Sequence, residues 1–488
     1  MLIRILSRAS PLARLQAALV ERALVSTATS LEIERVTRTA SGDQDQTSPL
    51  WKLPDKGAFT ADLSKALLNG EADLAVHSFK DLPVEMPAGT QIAGALPRAD
   101  ARDVVLIKRT VLDRKPPSLR LLSSSPRRAW LLGEVLPRLL PWRVSEVAAV
   151  PVRGNVETRL RKLIDGDEHG LVVAKAALDR LLGFGPPFER ESEIIYERLA
   201  HCRFMVMPMR EFPWAPAQGA IAIEIAESRA DLQELLQPIV CAATLRVVGD
   251  ERRVLAEHGG GCHQALGAAI VDKKYGRVVS VRGRDIATEL WELRGARRSF
   301  PRAAADQVWP APGIDPVADR RAMQADQPAA DGYWVSRANA LPETWSMSSD
   351  TFVWAAGSQT WQRLAARGIW VHGCADGLGD DEEPPIDLLA GRSLRWIRLT
   401  HAGAAVADGV ATYAVETQLP DDLPTRTHFY WTSGDLFTRA LARWPSLRDA
   451  WHASGPGRTR DTIATELGSS DRIGVWLDRA SWERDVCL

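Results

Sequence analysis

One string, AVHSFKDLP at residues 75–83, places polar side chains directly after an apolar strand that ends near His77. Polar residues at the carboxyl end of a strand are where α/β proteins place their sites. Asp81 stands next to Lys80, which favours an ionised carboxylate that could stabilise a cationic intermediate or move a proton. Taken alone, the string also fits a plain turn that Asp81 caps and Pro83 closes, and that interpretation is the commoner one.

Arginines stand at the predicted starts of two helices. In SSSPRRAWLL a serine caps the helix, a proline begins it, and Arg127 and Arg128 lie in its first turn. In VPVRGNVETRLRKL a strand ends at Arg153, an asparagine caps the next helix, and Arg159 lies one turn inside it. A cation at a helix N-terminus costs stability, whereas an anion binds there and a guanidinium adds bidentate bonds to a carboxylate. The repeated pattern indicates carboxylate binding, with solvated surface arginines as the alternative.

Cys262 lies in a glycine-rich string, HGGGCHQALG. The glycines let the backbone bend and leave the sulfur accessible, so the thiol suits covalent attachment or nucleophilic attack. The neighbouring His263 could ease ionisation of the thiol. An inert structural cysteine is the alternative, and it is the more frequent one for a single cysteine.

Short β-branched runs alternate with amphipathic stretches over the first 300 residues, which predicts α/β domains to position these side chains. The predicted strands contain ADLAVHS, DVVLIK, VAAVPV, LVVAKA, IAIEIA and GAAIVD. The predicted helices contain SPLARLQAALVERAL, TADLSKALLNG, SPRRAWLLGEVL and NVETRLRKLIDG.

A change of composition divides the chain near residue 300. Residues 301–332 are rich in Pro, Ala and Asp and show no sustained period, which predicts a linker. A second α/β unit follows at residues 333–488 and contains a weak internal repeat. Each copy is expected to run strand, Ser-containing turn, helix, strand, Gly-containing turn, helix.

Length and charge restrict the class of protein. At 488 residues the chain is too long for one ordinary domain. Its 61 basic and 62 acidic side chains give a net charge of −1, which argues against a nucleic-acid partner and requires any anionic ligand to be held by locally placed arginines. No apolar run is long enough for a membrane span.

The five cysteines are scattered, with no CxxC pair, so neither a disulfide framework nor a metal site fits. A reducing, cytoplasmic location and a monomeric protein without a metal ion are expected.

Taken together, these strings resemble the porphobilinogen deaminase (hydroxymethylbilane synthase) family over roughly residues 1–300. The matching strings, in the family's order and with similar spacing, are SRASPLARLQA, SGD, KGAFTADLSKALLNGEADLAVHSFKDLP, RADARDVV, SSSPRRAWLL, VRGNVETRLRKL, APAQGAIAIE and GGGCHQALGAAIV.

The resemblance implies a three-domain enzyme. Domain 1 would comprise residues 1–98 and 217–236, and domain 2 residues 103–212. These two would resemble periplasmic-binding-protein lobes around a cleft. Domain 3, residues 240–300, would be a small α/β unit that carries the cofactor loop.

The resemblance also implies the reaction: four porphobilinogen units condense head to tail, with loss of ammonia at each step, to give hydroxymethylbilane. The primer would be a dipyrromethane cofactor attached covalently through Cys262, and the catalytic carboxylate would be Asp81. Each pyrrole carries two carboxylates, which suits a site rich in guanidiniums. The other cofactor-binding residues implied are Lys80, Ser10, Arg127 and Arg128, and the substrate-binding residues are Arg8, Arg153, Arg159, Arg180, Lys56 and Phe59.

Three loops depart from the usual family pattern. Pro126 stands where an aliphatic residue is common, and Ala217 replaces a glycine before Gln218. Gln264 and Ala265 stand where a proline usually follows the cysteine. These changes bear on loop geometry and leave the residues of the predicted chemistry in place.

Residues 333–488 resemble a shortened uroporphyrinogen-III synthase, which closes hydroxymethylbilane while inverting its last ring. The matching strings are WVSRANAL, AAGSQTWQRLAARG, RWIRLTHAG, VATYAVE, YWTSGDLF and ASGPGRTRDTIATELG. The resemblance assigns catalysis to Tyr413 and carboxylate binding to Thr432, Ser433 and the Gly455–Thr459 loop. The family's usual first strand–helix segment is missing or merged with the linker.

Three functions follow from these patterns. The first is a bifunctional enzyme that makes hydroxymethylbilane and cyclises it to uroporphyrinogen III. The second is a deaminase with an inactive C-terminal appendage. The third is a two-lobed ligand-binding protein without catalysis, which would not need Cys262 and Asp81 and usually carries an export signal.

Overall fold

The computed structural model describes residues 1–27, 31–39, 60–259, 264–295, 300–315, 317–379, 382–404 and 408–488. Three residues predicted for the site, Lys56, Phe59 and Cys262, lie outside these ranges. No helix within them is both long enough and apolar enough to cross a membrane.

The described part of the first 300 residues contains strands and helices in alternation. The strands are β1 (Leu2–Arg8), β2 (Glu32–Arg38), β3 (Leu74–Ser78), β4 (Thr90–Ala95), β5 (Asp103–Lys108), β6 (Ser118–Leu122), β7 (Glu146–Val150), β8 (Gly170–Ala174), β9 (Cys202–Val206), β10 (Ile221–Ala226), β11 (Leu266–Lys273), β12 (Gly276–Gly283) and β13 (Leu290–Arg294). The helices are α1 (Pro11–Thr27), α2 (Ala61–Leu68), α3 (Arg109–Arg114), α4 (Pro126–Leu139), α5 (Val156–Asp165), α6 (Lys175–Gly183), α7 (Glu189–Leu199), α8 (Ala230–Leu236) and α9 (Ala242–Glu257).

Each strand and helix predicted in this region is present, which confirms the mixed α/β class. The predicted helix caps are present as well. Ser125 accepts a hydrogen bond from the backbone N–H of Arg128 before α4, and Asn155 accepts one from Thr158 before α5. These local signals determine the helix starts because each satisfies an N–H that has no partner inside the helix.

Two five-stranded sheets have equivalent strand arrangements, in which β1, β2, β3, β4 and β10 of the first correspond to β6, β7, β8, β9 and β5 of the second. The first runs β2-β1-β3-β10-β4 and the second runs β7-β6-β8-β5-β9. In each sheet the fourth strand is antiparallel to both of its neighbours. We call the unit around the first sheet lobe 1 and the unit around the second lobe 2. The chain passes between the lobes twice, through residues 96–102 and 207–220, which we call the crossing segments.

A third, antiparallel sheet, β11-β12-β13, follows lobe 1 in the chain. Helix α9 packs against its first strand. The domain boundaries given above for this region stay a prediction.

The C-terminal part contains two further sheets. Its strands are β14 (Val308–Trp309), β15 (Val317–Ala322), β16 (Gly332–Val335), β17 (Phe352–Ala355), β18 (Gly373–Cys374), β19 (Trp396–His401), β20 (Gly409–Thr417), β21 (His428–Trp431), β22 (Trp451–Ser454) and β23 (Ile473–Val475). Its helices are α10 (Ser358–Ala366), α11 (Asp387–Ala390), α12 (Gly434–Arg443), α13 (Arg458–Leu467) and α14 (Arg479–Val486). One sheet runs β15-β20-β19-β16-β17-β18 and the other β14-β21-β22-β23.

Residues 301–332, predicted to be a linker, contribute a strand to each of these sheets. β14 pairs in parallel with β21, and β15 pairs antiparallel with β20. Both partner strands lie about a hundred residues further along the chain, so the local composition carried no sign of the pairing. The segment is therefore part of the C-terminal fold.

The predicted internal repeat is present in one copy and altered in the other. The second copy runs β21, α12, β22, α13, as predicted. In the first copy, β16 is followed by a single 3-10 turn, Ala338–Ala340, where a helix was predicted. Pro342 explains the difference, because a proline disfavours helical geometry in the residue before it, and Leu341 is extended.

The C-terminal unit and lobe 2 share one hydrophobic core. Leu139 and Met205 of lobe 2 are fully buried in the same cluster as Trp361 of the C-terminal unit. Trp361 Nε1 donates to the backbone oxygen of Leu139 at 3.0 Å, and Trp370 Nε1 donates to that of Phe204 at 3.1 Å. Lobe 2 therefore completes its core with C-terminal side chains.

Candidate active site

The turn after β3 brings Lys80 and Asp81 to the edge of lobe 1. A single 3-10 turn, Phe79–Asp81, follows the strand. Lys80 Nζ donates to Gln218 Oε1 at 3.3 Å. Burial, followed by repulsion from Arg128, lowers the pKa of Lys80 to about 8, and the charge of Asp81 opposes this change. Lys80 and Asp81 thus lie in one electrostatic neighbourhood with an arginine of lobe 2.

His77, the last buried residue before this turn, has a structural role. Its Nε2 lies 2.8 Å from Glu224 Oε2 on the neighbouring strand β10, and both side chains are buried. Burial alone would raise the pKa of Glu224, but hydrogen bonds led by that of His77 outweigh it and the pKa is lowered. The pair holds β3 to β10.

Arg127 and Arg128 are held by one buried carboxylate, that of Asp103 at the start of β5. Arg127 Nη2 donates to Asp103 Oδ2 at 2.7 Å, and Arg128 donates to Oδ1 from Nη2 at 2.6 Å and from Nε at 3.2 Å. Burial by itself raises the pKa of Asp103, but the two guanidiniums outweigh it and the pKa is well below its usual value. Asp103 therefore stays ionised and fixes both arginines.

The two guanidiniums also donate to backbone oxygens of lobe 2 and of the second crossing segment. Arg127 Nη1 bonds to Pro213 O at 2.8 Å, and Arg128 Nη1 bonds to Val172 O at 3.2 Å. Arg127 Nε is buried and has no hydrogen-bond partner among the described residues. The arginine pair is thus rigidly oriented, and binding of a cofactor by it stays a prediction.

Gln218 connects the two lobes at this point. Its Nε2 donates to Asp103 Oδ1 at 2.9 Å and to Ala101 O at 2.7 Å, while its Oε1 accepts from Lys80. Sequence reasoning did not assign Asp103 or Gln218 to the site. The signal was present, because both residues lie in strings that resemble the family, RADARDVV and APAQGAIAIE.

Arg153 and Arg159 add positive charge to the same region. Arg159 Nε donates to the backbone oxygen of Gly154 at 2.8 Å. Burial, then repulsion from Arg128 and Arg153, lowers the pKa of Arg159 to about 10, and attraction to Asp81 opposes this change. The structure therefore brings six of the predicted residues into one electrostatic cluster: Lys80, Asp81, Arg127, Arg128, Arg153 and Arg159.

The other predicted residues of the deaminase region lie at the margins of that cluster. Arg8 ends β1, whose parallel neighbour β3 leads to the Lys80 turn. Ser10 Oγ accepts a hydrogen bond from Ala13 N at 3.4 Å and so caps α1. Arg180 Nη2 donates to Gly219 O at 2.6 Å, and burial lowers the pKa of Arg180 to about 10.

A second buried carboxylate, that of Glu251 on α9, anchors the segment that carries Gln218. Ala217 has a φ of +64°, the left-handed conformation that favours the glycine of the family pattern. Its N–H donates to Glu251 Oε2 at 2.8 Å. Glu251 also accepts from Trp214 Nε1 and from both terminal nitrogens of Arg98, at 2.8–2.9 Å. These bonds hold the alanine in its strained conformation.

The predicted C-terminal site residues lie on different sheets. Tyr413 is buried on β20 and packs against His401, its register partner on β19, with ring centroids 5.9 Å apart. Thr432 and Ser433 follow β21, and Ser433 occupies the N-cap position of α12 without a capping bond from its side chain. The two groups approach one another after β19, where a Cβ atom at Gly403 would lie 3.9 Å from Asp435 Cγ of α12. Burial lowers the pKa of His401, while the charge of Asp435 acts to raise it. Sequence reasoning missed His401 and Asp435.

The Gly455–Thr459 loop, also predicted for this site, leads into α13, and Gly457 in it lies against Gly379.

Comparison with known proteins identifies the family. Residues 3–234 match the family model described as "Porphobilinogen deaminase, dipyromethane cofactor binding domain". The porphobilinogen deaminase of Bordetella parapertussis is 35% identical over 319 residues, which cover 65% of this chain and 93% of the relative. The chain belongs to the porphobilinogen deaminase family. The enzyme of Desulfitobacterium hafniense is 37% identical over 290 residues, 58% of this chain and 86% of that relative.

As a porphobilinogen deaminase, the protein has dipyrromethane as its cofactor, since the matched domain is the one that binds it. The described residues fit such a group. Dipyrromethane carries several carboxylates, and burial, followed by repulsion from neighbouring arginines, lowers the pKa values of Lys80 and Arg159. A polycarboxylate bound there would relieve the repulsion.

Proposed function

We propose that the reaction takes place where the Lys80–Asp81 turn of lobe 1 meets the arginines of lobe 2. There, four porphobilinogen units would be joined into hydroxymethylbilane. The observation that carries this proposal is the chain of contacts from Lys80 through Gln218 to Asp103 and the arginine pair. Dipyrromethane, attached through Cys262, supplies a pyrrole carbon as the first acceptor.

Asp81 is the proposed catalytic carboxylate. Loss of ammonia breaks the bond between the aminomethyl carbon and nitrogen of porphobilinogen and leaves a cationic methylene-pyrrolenine. A fixed carboxylate lowers the free energy of that cation and of the transition state that leads to it. The acid form of Asp81 would protonate the leaving amine. Its carboxylate would then accept the proton released from the attacked pyrrole carbon when the new carbon–carbon bond forms.

The cations of the cluster bind and orient the acidic side chains of the substrate. Arg8, Arg153, Arg159 and Arg180 are the proposed substrate-binding residues, with Lys56 and Phe59. Arg127, Arg128, Lys80 and Ser10 are the proposed cofactor-binding residues. Since Asp103 already fixes the arginine pair, little side-chain entropy would be lost when carboxylates bind to it.

Replacement of Asp81 tests this assignment. In Asp81→Asn the size of the side chain is kept and the charge is removed, so we expect the covalent cofactor to remain while turnover falls by about a hundredfold or more. Intact mass and the rate of hydroxymethylbilane formation measure the two effects. Asp113→Asn, an exposed position on α3, is the matched control. Turnover of Asp81→Asn within tenfold of wild type would show that Asp81 only caps its turn.

For residues 333–488 we propose cyclisation of hydroxymethylbilane to uroporphyrinogen III. Tyr413 would assist loss of the hydroxyl group, and Thr432, Ser433 and the Gly455–Thr459 loop would bind carboxylates. The support is the approach of α12, at Asp435, to the turn after β19, at Gly403, close to the His401–Tyr413 ring pair. The alternative is an inactive appendage to the deaminase. Family membership argues against the third function, a ligand-binding protein without catalysis.

The uroporphyrinogen isomer made by the full chain distinguishes the bifunctional enzyme from a deaminase with an inactive appendage. Given porphobilinogen, a bifunctional enzyme should yield mainly uroporphyrinogen III, whereas free hydroxymethylbilane closes to the type I isomer. Tyr413→Phe should shift the product toward type I without slowing consumption of porphobilinogen. Chromatography of the oxidised porphyrins separates the isomers. Type I product from the wild-type chain would leave only the deaminase.

A further inference from the structure

The two crossing segments are the places about which lobes 1 and 2 would rotate. A short segment between two packed domains absorbs the backbone changes of domain opening and closure. Here Ala99 N of the first crossing segment donates to Gly219 O of the second at 3.2 Å, and Met207 N of the second donates at 2.8 Å to the oxygen of Asp103, which directly follows the first. The two segments therefore run side by side, and a group that holds both of them restrains the rotation.

A loop of the C-terminal unit, Cys374–Leu378, makes such contacts with both segments. The backbone oxygen of Cys374 accepts from Arg102 Nη1 of the first segment at 3.3 Å. Asp376 Oδ1 accepts from the backbone N–H of Arg210 in the second segment at 3.5 Å. The Arg102 guanidinium also lies over the Trp354 ring of the C-terminal unit, 5.5 Å from its centroid. We call residues 374–378 the hinge loop.

Neighbouring contacts strengthen the hold on the second segment. Ser358 Oγ at the start of α10 donates to Glu211 Oε1 at 2.6 Å. Leu378 packs against the hydrophobic cluster that contains Met209 of the second segment, and its backbone oxygen accepts from the Tyr275 hydroxyl at 2.8 Å. The hinge loop thus touches the first crossing segment, the second crossing segment and the third sheet.

The hinge loop is itself fixed. Its first residue belongs to β18, and the unit that carries it shares the core of lobe 2. Asp376 and Gly377 both have positive φ values, +55° and +70°, which form a tight turn. Gly357 lies so close that a Cβ atom there would come within 3.3 Å of Gly377 N. A loop of this kind moves with lobe 2 rather than bending independently.

We propose that the hinge loop is a positioning element of the deaminase reaction. It holds the crossing segments in one arrangement and so governs how far the lobes separate as the bound pyrrole chain lengthens. The proposal rests on the deaminase activity and is independent of cyclisation by the C-terminal unit. It accounts for the place of the loop, where both crossing segments and the third sheet meet.

Variants of the full chain test the proposal. Ser358→Ala removes the bond to Glu211, and Asp376→Asn removes a charge while keeping a residue type that tolerates positive φ. We expect kcat and KM to change together, by about threefold or more, because altered hinges change both constants. Intact-mass spectra at limiting porphobilinogen should show covalent intermediates that accumulate at a different chain length. Ser358→Thr keeps a hydroxyl at this position, so its kcat, its KM and its pattern of covalent intermediates should be closer to those of wild type than the values of Ser358→Ala are.

Tyr196→Phe is the matched control. The Tyr196 hydroxyl of lobe 2 donates to Leu388 O of the C-terminal unit at 2.9 Å. This bond also attaches the C-terminal unit to the deaminase region, but it does not involve the crossing segments. This variant should have wild-type kinetics and intermediates. The proposal is overturned if Ser358→Ala and Asp376→Asn match wild type within twofold in every readout. It is equally overturned if Tyr196→Phe alters the kinetics as they do, because the effect would then be one of general stability.

Discussion

Gln218 Nε2 donates to Asp103 Oδ1 at 2.9 Å, across the boundary between lobe 1 and lobe 2. Gln218 precedes β10 of lobe 1, and Asp103 begins β5 of lobe 2. Through its oxygen, the same amide accepts a hydrogen bond from Lys80. The Gln218 amide thus connects the Lys80–Asp81 turn by hydrogen bonds to Asp103, the carboxylate that fixes the arginine pair.

Removal of the Asp103 charge should destabilise the protein strongly. In Asp103→Asn the buried guanidiniums of Arg127 and Arg128 lose their counter-charge, which costs about 3–5 kcal/mol. Urea unfolding followed by circular dichroism measures this change. Asp165→Asn, at the exposed end of α5, is the control and should change stability by less than about 0.5 kcal/mol.

The same carboxylate predicts a dependence on pH. In the folded protein the pKa of Asp103 is below its usual value of 3.8. The ionised carboxylate therefore contributes to the free energy of unfolding above about pH 4, and this contribution is lost as the pH falls further. Wild-type stability should therefore fall below pH 4 more steeply than that of Asp103→Asn. Parallel acid unfolding curves for the two proteins would contradict the assignment.

Asp376 predicts the opposite dependence on pH. Burial, then repulsion from Glu211, raises its pKa to about 7, although Arg102 acts to lower it. Because the folded pKa is above the unfolded value, the stability associated with the protonated form is lost as the pH rises from about 4 to about 7. Asp376→Asn lacks this loss, so its stability relative to that of wild type should rise by about 2–3 kcal/mol between pH 5 and pH 8.

Denaturant unfolding at pH 5 and pH 8 measures that difference. Asp350→Asn, an exposed position in the same unit, should show none. A constant gap between wild type and Asp376→Asn at the two pH values would mean that Asp376 titrates normally.

Cys262→Ser should give folded protein without the covalent cofactor. A serine hydroxyl is a poor nucleophile without an activating base, so the thioether link would not form. Intact mass should show the polypeptide alone, and turnover should be lost. Cys487→Ser, near the C-terminus, should keep both the cofactor mass and the activity. A Cys262→Ser protein with cofactor mass and full turnover would remove Cys262 from the site.

Truncation near residue 310 should prevent folding of lobe 2 as a soluble unit. The cut removes Trp361 and Trp370 and exposes an apolar surface around Leu139 and Met205. Large exposed apolar patches promote aggregation. Soluble yield and size-exclusion chromatography measure the outcome. Trp361→Phe in the full chain keeps most of the packing, so it should stay soluble and lose about 1 kcal/mol. A monodisperse truncated protein that melts cooperatively would contradict a shared core.

The sequence by itself determined the mixed α/β class and the family of the N-terminal region, and it predicted the residues of the chemistry. Local periodicity predicted six of the thirteen strands and four of the nine helices described in the first 300 residues, and Ser125 and Asn155 predicted the starts of α4 and α5. The Lys80–Asp81 pair and the arginines at helix starts were recognisable because each signal lies within a few adjacent residues. Family strings then connected these signals to a reaction.

Only the tertiary structure decided which residues hold one another. His77 and Glu224 are 147 residues apart, and Asp103 and Gln218 are 115 apart, so no local pattern could assign their bonds. The strands in residues 301–332 were missed for the same reason, since their partners are distant in the chain. Buried polar groups must find partners wherever the fold brings them together, and that requirement is met in space rather than along the sequence.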